Sequence, residues 1–302
     1  MFASMLSRWS TRIAVLGSAI ALCACKGSVL DAQGPVGAGD SAILIDALLI
    51  MLVIVIPTIA LAFAIAWHFR ASNTKATYLP LWSYSGKIEA VVWSIPILVI
   101  MFIGGVIWIG SYELDPFKPL PSKAAPLEVQ VVALDWKWLF IYPQQNIAAV
   151  NQLVIPAGVP VHFSITSASV FNTFFIPQLG SMVYAMPGMT SQLHLQADHP
   201  ATLLGESAHF SGDGFSDMNF QVRSLPAADF TAWLNMVRGA GPSLDRAAYT
   251  ALARQSSHVR PYSYKMVDPA LFGDIASQKI APAPGPQSAS GAGRETTGPG
   301  RP

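Results

Sequence analysis

The chain has 302 residues, 52% of them hydrophobic and only 12% charged, where an average soluble domain carries roughly 25% charged residues. Its 18 Lys and Arg against 17 Asp and Glu leave a net charge of +1 and no basic surplus for nucleic acid. The apolar bias excludes a disordered chain, and a mean hydropathy of +0.43 points to a membrane.

In chain order, the first predicted element is an export signal over residues 1–24. Arg8 and Arg12 make a basic start, Ile13–Leu22 is an apolar run too short to span a bilayer, and Ala24 precedes Cys25. The ending Leu22-Cys23-Ala24-Cys25 resembles a bacterial lipobox, which implies cleavage before Cys25 and acylation of its thiol and new amino group. Cys23 reads as a small apolar residue of the run. The two cysteines lie one residue apart, a poor spacing for a disulfide. None remains downstream to bridge, hold zinc or act as a nucleophile. Residues 25–40 read as an exported linker.

Residues 41–112 are predicted to form a transmembrane helix hairpin. Its apolar segments, about 43–68 and 89–110, each reach the roughly 20 residues a bilayer core demands. Pro57 and Pro96 sit inside them, which a lipid-embedded helix tolerates. The loop of about 70–87 holds Arg70, Lys75 and Lys87 and no acid, while Asp40, Glu113 and Asp115 flank the other ends. The positive-inside rule therefore puts the loop in the cytoplasm and both ends outside. Trp67, Trp82 and Trp93 bracket the inner interface and Trp108 and Tyr112 the outer one, with Asp46 as an interfacial residue.

After a Pro-rich spacer the pattern becomes β-rich over 127–225. The predicted strands are Glu128–Leu134, Trp138–Tyr142, Ala149–Ile155, Val161–Thr166, Thr173–Ile176, Ser191–Gln196 and Asn219–Ser224. Ser191–Gln196 and Phe220–Arg223 alternate with period two, as half-buried antiparallel strands do. This many short strands in about 100 residues indicates a β-sandwich. Residues 226–280 are predicted as a helical extension, with helices over Pro226–Arg238, over Ser243–Ala253 capped by Ser243, and from Asp268-Pro269. Residues 281–302, rich in Pro, Gly, Ser and Ala, read as a disordered tail.

Four motifs carry a family resemblance: Lys87–Pro96 (KIEAVVWSIP), Asp135–Tyr142 (DWKWLFIY), Phe174–Pro177 (FFIP) and Tyr184–Met189 (YAMPGM). An exported hairpin followed by a small outer sandwich with these motifs resembles subunit II of haem–copper respiratory oxidases, from Ile43 to about Leu225. The resemblance implies a two-helix transmembrane hairpin, an all-β cupredoxin-like Greek-key sandwich and short C-terminal helices.

In the copper-bearing branch of that family, a dinuclear copper centre takes electrons from cytochrome c. Its pattern needs a His before Phe-x-x-Pro, then Gly-x-Cys-x-x-x-Cys-x-x-x-His-x-x-Met. Here Asn172 stands at the first His, Ser207 and Ser211 at both cysteines and Phe215 at the second His, leaving Met218 alone among the side-chain ligands. Soft copper pairs are held by thiolate and imidazole. A serine hydroxyl is hard and stays protonated, and phenylalanine offers no lone pair, so no metal is expected on this chain. His209 reads as a hydrogen-bonded surface residue.

Loss of that centre marks the quinol-oxidising branch, and the sequence is similar to subunit II of cytochrome bo-type ubiquinol oxidases. The resemblance implies a complex in a bacterial inner membrane that oxidises ubiquinol, reduces oxygen to water and pumps protons. Haems and copper would lie in subunit I. The chain's partners would be subunit I, the smaller integral subunits and membrane lipids, with no cytochrome c and no nucleic acid. The sandwich and both mature termini would be periplasmic, and the chain itself would hold no catalytic residue. Trp136 and Trp138 then revert to packing, and Lys137 between them reads as solvated. Two rivals stand beside this reading: a copper-bearing cytochrome c oxidase subunit, opposed by Ser207, Ser211 and Phe215, and a free-standing envelope lipoprotein that scaffolds an assembly.

Glu89 has two readings. In the family an acid here lies at the mouth of a proton-uptake channel of the large subunit, while the helix macrodipole also favours an N-terminal acid. His68, His162, His194, His199 and His258 show no ligand spacing. Ser207, His209 and Asp213 are residue types of a hydrolase triad, but they crowd one short loop without a Gly-x-Ser-x-Gly elbow.

Overall fold

Where the chain is apolar on every side it forms two long helices, α1 (Pro35–His68) and α2 (Gly86–Glu113). The computed structural model describes residues 29–77, 79–122 and 124–285. The signal segment 1–24, Cys25 and residues 286–302 lie outside the described residues. Along most of both helices the apolar side chains are exposed, Phe63 by 73% and Trp108 by 78%, which is stable only against lipid or another apolar surface. The helices pack closely at one end: a Cβ on Gly110 would lie 2.3 Å from Ile43 Cδ1, and one on Gly39 would lie 2.8 Å from Leu114.

α1 begins inside the stretch expected to be linker. Pro35 opens it, at a position where the missing N–H costs nothing. Val36 and Gly37 are buried against the sandwich, and the Gly37 N–H donates to Leu179 O at 2.9 Å. The first turn therefore owes its helicity to tertiary contact rather than to hydropathy.

The sandwich comprises β1 (Leu127–Leu134), β2 (Lys137–Tyr142), β3 (Ile147–Val150), β4 (Gln152–Pro156), β5 (Val161–Ser167), β6 (Asn172–Phe175), β7 (Val183–Ala185), β8 (Ser191–Leu195), β9 (Ala201–Ser207) and β10 (Asn219–Leu225). One sheet runs β3-β2-β1-β5-β8, and the other β4-β10-β9-β6-β7. The expected run Ala149–Ile155 is two strands in different sheets. Asn151, with φ 52°, turns the chain between them. Its Oδ1 accepts from the Trp138 N–H at 2.8 Å, and its Nδ2 donates to Val259 O at 2.9 Å. β9 was not expected. Gly205 interrupts its apolar pattern, yet the glycine is required there, since a Cβ would come within 2.1 Å of the Phe220 ring.

An aromatic box fills the space between the sheets. Phe174 and Phe220 stack at 5.3 Å, and Trp138 meets each edge-on at 5.5 and 5.6 Å. Such pairs contribute about 0.5–1.5 kcal/mol each beyond their burial. Trp136 is buried as well.

The far face of the first sheet is not open to water. After α3 (Ala227–Gly239) the chain forms β11 (Ser243–Leu244), α4 (Arg246–Leu252), β12 (Tyr262–Tyr264), β13 (Met266–Val267) and α5 (Leu271–Ala276). β12 extends the first sheet beside β3, and β11 pairs with β13. Leu244, Tyr249, Leu252, Val267 and Leu271 form a second core over Leu139, Ile141 and Val150. This corrects two expectations. Ser243 is a strand residue, and the cap of α4 is Asp245, whose Oδ1 accepts from the Ala248 N–H at 2.8 Å. Lys137 is buried, 1% exposed, because the extension covers the face it points to. The residues that open the expected tail are also held, with the Ala283 N–H donating to Ala168 O at 2.8 Å.

Candidate functional site

β6, the end of β9 and the loop before β10 bring Asn172, Ser207, Ser211 and Met218 together in the interior. Ser207 Oγ lies 3.3 Å from Asn172 Oδ1 and 3.4 Å from His209 O, either of which accepts its proton. Asn172 Nδ2 donates to Val170 O at 3.0 Å, and Ser211 Oγ–H points at Met218 Sδ, 3.9 Å away. Phe215 opens a short 3₁₀ turn, Phe215–Asp217, and its half-buried ring meets Phe210 edge-on at 5.7 Å.

Trp136 closes this loop from the side. Its backbone is left-handed, φ 60°, its Nε1–H donates to Ser211 O at 3.0 Å, and its ring covers Gly214, where a Cβ would lie 2.2 Å away. The loop is thus held by hydrogen bonds and packing among its own residues, Asn172 and Trp136. Amide, hydroxyl and thioether are the donors it offers, and they do not fit a soft dinuclear copper centre, which needs thiolate bridges and imidazoles. Among the described residues no three His, Cys, Asp or Glu side chains converge to hold a metal ion. The Ser207, His209 and Asp213 grouping has no triad geometry: Ser207 faces the His209 carbonyl, and the exposed His209 ring places Nδ1 3.2 Å from Phe210 O.

Glu89 lies in the first turn of α2, exposed, with its N–H donating to Ser85 O at 3.0 Å. At 1.5 Å per residue it sits roughly 36 Å along the helix from Glu113, more than the roughly 30 Å of a bilayer core. Glu89 and the end of α2 that leads into the sandwich are therefore separated by the whole membrane-spanning length.

Sequence reasoning missed two features. One is Lys137, whose Nζ donates to Arg254 O at 2.7 Å, Ser256 Oγ at 2.8 Å and Asp135 O at 3.3 Å, clamping the C-terminal extension to the β1–β2 turn. Burial pushes its pKa down to about 8, with the Asp135 carboxylate opposing. Burial pushes Asp135 up, moderated by hydrogen bonding from Ser169 Oγ and by the Lys137 charge. The other is a row across β1, β5 and β8. Glu128 faces His162, with Oε2 2.6 Å from Nδ1, and the His162 and His194 rings stack at 4.6 Å. Register alone makes this row, Glu128 pairing with His162 and His162 with His194.

This geometry agrees with comparisons to known proteins. The model of the cytochrome c oxidase subunit II periplasmic domain matches residues 98–225, and that of the COX aromatic-rich motif matches residues 238–280. The sandwich and its C-terminal cover are thus those of an oxidase second subunit. Ubiquinol oxidase subunit 2 of Acetobacter aceti is 48% identical over 269 residues, covering 88% of this chain and 87% of that protein. Cytochrome bo(3) ubiquinol oxidase subunit 2 of Pseudomonas aeruginosa is 44% identical over 263 residues, 87% of this chain and 80% of that protein. Quinol oxidase subunit 2 of Bacillus cereus is 33% identical over 233 residues, 77% and 80% of the two chains. The chain belongs to the ubiquinol oxidase subunit 2 family.

Proposed function

We infer that this chain is the second subunit of a proton-pumping terminal ubiquinol oxidase, which couples ubiquinol oxidation to the reduction of oxygen to water. The observation that carries the reading is the loop of Asn172, Ser207, Ser211 and Met218, which keeps an ordered, buried packing with donors unfit for copper. A lipid-soluble donor delivers electrons from within the bilayer, so the water-side electron port that such a centre provides is dispensable. The chain's own contribution is structural. α1 and α2 pack on the large subunit in a bacterial inner membrane, and the sandwich caps its periplasmic face. Haems and the oxygen-site copper belong to that large subunit. Cys25 carries the lipid, and Glu89 gathers protons at the cytoplasmic face.

The test is a pull-down through this chain from detergent-solubilised membranes. Haem absorption in the eluate and oxygen uptake driven by a short-chain ubiquinol are the expected results. Oxygen uptake driven by reduced cytochrome c would overturn the quinol assignment. An eluate free of haem would instead identify a free-standing lipoprotein.

A further inference from the structure

A cavity of about 280 Å³ opens where the first turn of α1, the last turn of α2, the connector after α2 and β8 meet. Val36, Leu114, Leu120 and Leu193 give it apolar walls. Its shape is built in. The His194 N–H and ring Nδ1 lie 3.1 and 3.2 Å from Pro116 O, which pins the connector to the sheet, and the Phe117 N–H donates to Asp115 Oδ1 at 2.9 Å. The cavity sits at the end of both apolar helices, and the last two turns of α2 expose Trp108 and Tyr112, residue types of the interfacial belts that meet the headgroup layer.

Three charged residues, Glu113, Asp115 and Lys118, are among those that line it. Lys118 Nζ also leans over the Tyr112 ring, 5.6 Å from its centre, at the rim next to the last turn of α2. This arrangement complements a headgroup that carries a phosphate and an ammonium together. Lys118 pairs with the phosphate, and the carboxylates accept N–H bonds from the ammonium. A phosphatidylglycerol headgroup would set its phosphate against two carboxylates with no ammonium to satisfy them. A choline headgroup has no N–H to donate. We propose that this cavity is a headgroup site for one phosphatidylethanolamine molecule of the outer leaflet, its acyl chains running down the part of the apolar surface of α1 and α2 that the large subunit leaves uncovered. The proposal rests on the membrane-spanning reading of the hairpin and is independent of the quinol assignment.

The experiment uses the full chain with whatever co-purifies, stripped of lipid in mild detergent and titrated with phosphatidylethanolamine, phosphatidylglycerol or phosphatidylcholine while native mass spectrometry counts bound lipids. One phosphatidylethanolamine should be retained at least tenfold more tightly than either other lipid. Lys118→Glu should weaken that retention tenfold or more by repelling the phosphate, and Leu120→Trp should abolish it by filling the cavity. Equal retention of the three lipids, or retention unchanged in both variants, would overturn the proposal. If the preparation lacked haem, the lipid count would still be readable on the chain itself, which separates failure of this site from failure of the oxidase reading.

Discussion

Lys137 makes the buried C-terminal clasp measurable. Its ordinary pKa of 10.5 falls to about 8 in the folded protein because burial disfavours the ammonium more than Asp135 rescues it. The sign follows from proton counting. Between about pH 8 and 10.5 the unfolded chain holds the proton that the folded chain has released, so stability rises with pH across that window. At about pH 7 both states are charged, and the drop from 10.5 to about 8 costs on the order of 3 kcal/mol. At about pH 9.5 only the part above that pH remains, so the gain from pH 7 to 9.5 is about 2 kcal/mol. The residue is 1% exposed, so solvent screens the charge little. Lys137→Met keeps the stem and removes the titration. Urea unfolding of a soluble fragment from Leu127 onward, followed by tryptophan fluorescence, should show wild type gaining about 2 kcal/mol on the variant from pH 7 to 9.5. The carbonyl of Arg254 loses its partner in the variant at every pH, so that loss cancels in the comparison. A wild-type-minus-variant difference that stays flat to pH 9.5 would refute the reasoning and make Lys137 a solvated lysine.

Three further outcomes test the function. Replacing Asn172 and Phe215 with His, and Ser207 and Ser211 with Cys, should let the outer domain take up copper with the purple colour of a thiolate-bridged pair, while the unaltered domain binds none by metal analysis; stoichiometric copper in the unaltered domain would sink the quinol assignment. Glu89→Gln and Glu89→Ala should lower oxygen uptake per haem severalfold at equal assembly, more so at high pH, with Glu89→Asp losing much less; an unchanged rate in both Gln and Ala variants would leave a helix-end acid whose macrodipole contribution is roughly 0.3–1 kcal/mol. Cys25→Ser should abolish lipidation, seen as the missing acyl mass of the mature chain, with activity largely retained because two helices hold it in the membrane; an unmodified Cys25 in the mature wild type would end the lipoprotein proposal.

Linear patterns were legible wherever the determinant is local. Two long runs almost without charge announce helices that no water-exposed fold would keep, and period-two alternation marks β8 and β10. The positions around the former copper loop were legible for the same reason, since Ser207 to Met218 lie in one short stretch and their donor chemistry is carried by residue type alone. β9 was hidden by Gly205, whose requirement comes from the Phe220 ring on a neighbouring strand. The break at Asn151 was hidden too, because its left-handed turn is fixed by Trp138 and Val259, residues distant in the chain.

The amino-acid order by itself determined the membrane class, the hairpin, the β-rich outer half and the absence of a thiolate–imidazole ligand set, all properties of composition and short-range period. Tertiary structure alone decided that Lys137 is buried, that helix α1 starts at Pro35, and that Glu128, His162 and His194 form a row. It also decided that Glu113, Asp115 and Lys118 border one cavity with Leu193. The physical reason is common to all four. Burial and cross-strand proximity depend on which segment covers a face and on the register of strands far apart in the chain. The period-two rule names two faces of a strand but cannot say that both are covered.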